Sequence, residues 1–322
     1  MGRRLNIPVR TARAREAGPR PWLGRLLALL PALVAGCDPP PLTPSGVIAA
    51  FGAQGMAQGA FVTPRAIAVG PDGSVYVADK TARIQRFSPQ GEYEAQWSMP
   101  ERAAGKPVGV FVSPDQRVFV ADTHYSRIMV YDRDGNELAR FGEHGTGDGQ
   151  FLLTTDVAMD ADGYLYVSEY GGNDRISKWT PDYRFVCVLV AGEVAGRSLA
   201  RPSALDIDAQ QTLWVADSCN HRLLRFDLSG RLIAHFGEMG DGAGQMRFPY
   251  DVSATRDGNV LVCEYANSRL QWFSPDGRSL RTWGAQGREL GQLWAPWGAA
   301  IGPEGNVFVI DTLNCRVQVI RP

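Results

Sequence analysis

Two aspartates, Asp156 and Asp251, stand where four equivalent positions carry Ala66, Gly109, Ala204 and Gly298. In the same two segments a second acid, aspartate elsewhere, is lengthened to glutamate and followed by tyrosine, giving Glu169-Tyr170 and Glu264-Tyr265. A turn at Ala161-Asp162 is expected to bring Asp156 and Glu169 to one side of a hairpin. Four carboxylates at one place repel unless a positive group joins them. They suit capture of a divalent cation, the one cofactor class these residues suggest, or of an amine, a guanidinium or a protein partner's Lys or Arg. The catalytic alternative is a metal-dependent lyase or hydrolase with Tyr170 or Tyr265 as proton donor. Arg65 is the candidate counter-charge from within the molecule, Trp297 a candidate stacking surface, and Asp217 a candidate to complete the acidic rim. The competing expectation is structural: Asp156 and Asp251 accept backbone N–H groups or pair with Arg175 and Arg269, leaving only a polar opening.

These positions are equivalent because the chain repeats. Aligned on the acid that closes a β-favouring run, the copies fall at Asp79, Asp122, Glu169, Asp217, Glu264 and Asp311, at intervals of 43 to 48 residues that accommodate about four strands each. A proline opens the first strand of most copies (Pro64, Pro107, Pro202, Pro249, Pro296), and turns such as Asp162-Gly163 and Asp257-Gly258 lead into the second. An arginine follows each acid after a short turn: Arg83, Arg127, Arg175, Arg222, Arg269 and Arg316. A group needed six times is structural, so the pairs Asp79–Arg83, Asp122–Arg127, Asp217–Arg222 and Asp311–Arg316 are expected to fix turns and to reach the neighbouring copy.

The stretch from Val215 to Gly237 is the most regular copy and the least informative about function. Its Asn220-His221-Arg222 and Phe236-Gly237 to Gly244-Gln245 resemble the NHL repeat nearly residue for residue, and the likeness extends from about Gly46 to Arg321. That resemblance implies an all-β, six-bladed propeller of four-stranded blades. The last copy lacks a fourth strand, and the segment 46–52, which has the fourth-strand pattern, stands before the first copy. Pairing the two closes the ring and removes both open edges.

The first 36 residues differ in kind. Seven arginines against one acid, an apolar run from Leu26 to Val34 and then Ala35-Gly36-Cys37 resemble a bacterial lipoprotein signal, with Cys37 as the lipidated residue. Residues 37–45 then read as a proline-rich tether and 46–322 as the propeller. The expectation is an exported protein held at a bacterial membrane by its lipid alone. Without the signal the net charge is about −7. That acid excess argues against nucleic acid as partner, although some NHL domains bind RNA. The remaining cysteines, Cys187, Cys219, Cys263 and Cys315, have no metal or haem spacing, and only Cys219 with Cys263 is a candidate pair. Peptide-amidating lyases, which are NHL-like, hold zinc with histidines near the channel; no histidine occupies a first-strand position here, and His124 and His221 read as turn residues. The reading is a monomeric, envelope-anchored binding or scaffold module with a ligand site at the channel mouth.

Overall fold

The computed structural model describes residues 46–321. The signal of residues 1–36, Cys37 and the tether of residues 37–45 lie outside the described residues. The chain forms six four-stranded antiparallel sheets arranged as the blades of a propeller. Blade one runs through Pro64–Val69, Val75–Asp79, Arg83–Phe87 and Tyr93–Ser98, and blades two to five repeat this order from Gly109, Leu153, Pro202 and Pro249. Blade six takes Ala299–Ile301, Val307–Asp311 and Arg316–Ile320 from the end of the chain and Val47–Phe51 from its start. The closing strand is antiparallel to the last one, with Val47 opposite Ile320 and Phe51 opposite Val317.

Why these segments adopt these positions follows from their patterns. Second strands such as VYVAD at Val75–Asp79 are buried throughout, as a strand covered on both faces requires. Outer strands such as LIAHF at Leu232–Phe236 alternate half-buried with exposed residues. Six apolar clusters result, each bridging two adjacent blades: Phe119, Ile128, Phe151 and Val167 join blades two and three, and Phe61, Phe87, Ile310 and Val317 join six and one. Each fully buried aromatic of this kind contributes about 1.5–3 kcal/mol.

The recurring Phe-Gly or Trp-Gly pair has a steric cause. Gly52, Gly142 and Gly237 have φ between +86° and +101°, and a Cβ there would lie 2.3 to 2.6 Å from Phe61, Phe151 or Met246. The glutamine further on folds the loop back: Gln150, Gln245 and Gln292 each accept the backbone N–H three residues earlier, at 3.0 to 3.1 Å.

All six acid–arginine pairs are formed and their acids are buried. Asp217 meets Arg222 at 2.7 Å and also accepts the Ala200 N–H and the Asn220 amide. Five of the arginines reach on to loop carbonyls ahead of the blade, as Arg175 does to Thr146, Gly147 and Gln150, and Arg127 reaches the Glu101 carboxylate instead, so each pair pins its turn to the preceding connection. All four described cysteines are free thiols, so Cys219 and Cys263 are not bridged.

Candidate functional site

The residue after the opening proline of each first strand stands at one end of the central channel. Arg65, Val108, Ser203, Tyr250 and Trp297 line a cavity of about 40 Å3 there, with Asp156 and Asp251 at its floor. Thr155, the blade-three equivalent, turns into the wall and donates to the Pro202 carbonyl at 2.7 Å. Beyond the floor a second cavity of about 180 Å3 opens, lined by Asp156, Asp206 and Asp251 among apolar residues. Asp156 and Asp251, which line both cavities, thus form a waist between a small mouth and a wider far side, with Asp206 just beyond it.

Each of these acids ties its blade to the next. Asp156 Oδ2 accepts the Leu205 N–H at 3.0 Å, Asp206 Oδ2 that of Ala254 at 2.7 Å, and Asp251 Oδ2 that of Ala299 at 2.8 Å. Glycine makes room for this: a Cβ on Gly298 would lie 2.9 Å from Asp251 Oδ2. Burial within the channel pushes Asp156 up to about 7 and Asp206 up to about 6. Burial, and then the charge of Asp156, hold Asp251 well above the usual carboxylate range.

The expected four-carboxylate site does not assemble. Glu169 and Glu264 are fully buried against Arg175 and Arg269, at 2.5 and 2.7 Å, and accept the backbone N–H groups of Leu152 and Arg247. The cause is a bulge in each hairpin. Thr154 faces Glu169 but Asp156 faces Ser168, and Pro249 faces Glu264 but Asp251 faces Cys263. One extra residue reverses the faces, so the aspartates look into the channel while the glutamates look into the blade. Asp217, expected to complete the rim, is likewise committed to Arg222. Among the described residues no group of three or more His, Cys, Asp or Glu side chains is placed to hold a metal ion.

Arg65 does not neutralise the acids. Its guanidinium lies 5.0 Å over the Trp297 ring, makes no ion pair or side-chain hydrogen bond among the described residues, and has its Nε buried and unmatched. Burial lowers its pKa below the usual arginine range, and Arg201 lowers it further. Arg201 sits 4.9 Å from the Tyr170 ring and 5.0 Å from that of Tyr250, also with a buried unmatched Nε; its one side-chain hydrogen bond is to the Tyr250 hydroxyl at 3.4 Å. Tyr250 stacks on Tyr265 with centroids 4.8 Å apart, and Trp297 meets both. Tyr170 and Tyr265 therefore stand in a cationic and aromatic rim, apart from the glutamates that precede them. Trp297 is packed by Arg65, Tyr250 and Tyr265, which leaves it a wall rather than an open stacking face. The mouth is thus positive where acid was expected.

Two of these residues, Arg201 and Asp206, come from blade four, the copy read as most regular. Their signals were a long cation before Pro202 and an acid two residues beyond Ala204, where the other blades carry Ala68, Phe111, Ala158, Ser253 and Ala300. His221 is structural, its Nδ1 accepting the Phe248 N–H at 3.1 Å.

Residues 199–226 match the NHL repeat model. The chain is a six-bladed β-propeller that carries an NHL repeat. It is 27% identical over 153 residues to Protein brain tumor of Drosophila melanogaster, covering 47% of this chain and 14% of that protein. It is also 27% identical over 173 residues to NHL repeat-containing protein 3 of Mus musculus, covering 48% of this chain and 49% of that one. The chain therefore matches half or less of the length of these curated relatives. Among solved structures, a streptogramin B lyase superposes with a TM-score of 0.60 at 15% identity, over 85% of this chain and 96% of its own. A gluconolactonase from Xanthomonas campestris gives 0.62 at 14%, over 81% and 87%. At such identities these likenesses show the fold alone.

Proposed function

We propose that this propeller is a noncatalytic binding module, exported and held at a membrane by lipid on Cys37, that seats its ligand or a protein partner's side chain at the channel mouth. The observation that carries this reading is the pair Arg65 and Arg201. Each keeps its Nε buried without an acceptor and, unlike the six blade arginines, has no carboxylate partner among the described residues. The lyase or hydrolase alternative lacks its machinery, because Glu169 and Glu264 are committed to arginines and the waist aspartates to backbone N–H groups. The acid excess of the propeller argues against a nucleic-acid backbone.

A fragment screen read by two-dimensional NMR tests the mouth. Hits are expected to move the Trp297 indole N–H, assigned with Trp297→Phe, and to weaken in Tyr250→Ala. Hits that move only resonances elsewhere would count against the site. The anchor is tested separately: Cys37→Ala should shift the protein from the membrane to the soluble fraction, and an unchanged membrane fraction would remove lipidation at that residue.

A further inference from the structure

We infer that the mouth recognises a single oxyanion head group, a carboxylate or a phosphate, on a ligand whose body stays outside the channel. This rests on the mouth being the binding site and names what it selects. A guanidinium lying over a ring spends its face on that ring and leaves its N–H edge free, which is the geometry of bidentate oxyanion recognition. Arg65 lies over Trp297 in this way, and Arg201 beside Tyr170 and Tyr250. Neither has a carboxylate partner within ion-pair distance among the described residues, whereas all six blade arginines have one. The two cations flank the Tyr250–Trp297 pair, and, beyond burial, the charge of Arg201 lowers the pKa of Arg65. An oxyanion between them relieves that repulsion and accepts from their terminal N–H groups. Tyr250 adds a neutral hydroxyl, since burial raises its pKa.

Size and charge set the limit of entry. The mouth cavity is small, about 40 Å3, so a head group enters and the body of the ligand stays outside. Directly beneath, Asp156 and Asp251 narrow the channel, and above the raised pKa values that burial gives them they repel an anion that would go deeper. Cations meet Arg65 and Arg201 before they can reach the acids. At this end of the channel the order of charges therefore favours an anion over the small cationic ligand expected from the carboxylates.

Four probes of one shape separate the possibilities: benzoate, phenyl phosphate, benzamide and benzylamine, titrated into the propeller while the Trp297 indole signal is followed. Benzoate or phenyl phosphate should bind at least about tenfold more tightly than benzamide, the worth of one charge-assisted hydrogen bond. Which of the two binds better names the head group. Arg65→Gln should weaken that binding about tenfold and move the melting midpoint by no more than a few degrees, because the contact it loses within the ring is the one with Trp297; raised salt should weaken it too. If benzamide binds as tightly as benzoate, or benzylamine more tightly, with Trp297 still responding, the oxyanion assignment is overturned while the mouth stands as a site. If no probe moves Trp297 up to its solubility limit, the assignment is overturned as well, and the fragment hits alone then decide on the mouth.

Discussion

At the scale of single residues, Asp156, Asp206 and Asp251 are both fasteners and charges. Each accepts a backbone N–H from the next blade, which favours the ionised form, yet burial in the channel outweighs that and raises all three pKa values. A pKa raised on folding means that the folded protein holds the proton more tightly than the unfolded chain. The stability linked to that proton is complete below the unfolded value of about 3.9 and is lost as pH rises through the folded value. For Asp156 the window runs from about 4 to about 7. The loss expected across it is on the order of 2–4 kcal/mol at one pKa unit per 1.4 kcal/mol. Asp156→Asn cannot ionise, so it should flatten that part of the decline even if its absolute stability is lower for want of one acceptor. Urea unfolding at pH 4.5 and 7.5 on both proteins measures this, and an equal drop in the two would show that Asp156 carries no such proton.

At the scale of elements, what could be read in advance was what depends on neighbours along the chain. The acid and arginine of each pair are four to six residues apart, so their turn and their bond are local, and repetition averaged out ambiguity in any one copy. The Phe-Gly motif was legible for the same reason, its glycine being fixed by a side chain about nine residues on. The candidate site was not legible to that degree. A bulge of one residue, which no alternation of side chains announces, decides that Asp156 looks into the channel and Glu169 away from it. The mouth depends on contacts that exist only after the ring closes. Arg65 meets Trp297 from the opposite end of the chain, and Tyr170, Arg201 and Tyr250 meet across three blades. Comparing equivalent positions found Asp156 and Asp251 because they break a column of small residues. It passed over Asp206 because only one column was compared, and over Arg201 because its blade looked regular.

At the scale of the whole molecule, the ring is closed by one pairing that no chain connection holds, inside blade six between Val47–Phe51 from the start of the chain and Arg316–Ile320 from its end. The closing strand Val47–Phe51 completes blade six, and Phe51 packs on Phe87 of blade one with centroids 4.9 Å apart. The last described residue, Arg321, donates its backbone N–H to Gly46 at 2.9 Å. Burial of the Phe51 ring contributes about 1.5–3 kcal/mol and each ladder hydrogen bond about 1 kcal/mol, so a chain that starts at Gln58 should lose about 5 kcal/mol. At about 2–4 °C per kcal/mol for a domain of this size, the melting midpoint should fall by at least about 10 °C. An unchanged midpoint would mean that blade six is complete without the strand. The same truncation should also reach the mouth, because Trp297 and Arg65 stand on blade six and blade one, which the closing strand links. Loosening that link should weaken oxyanion binding in the truncated chain well below its melting temperature, whereas Arg65→Gln weakens binding with a far smaller fall in the midpoint. The two variants together separate closure of the ring from the charge that the ring presents.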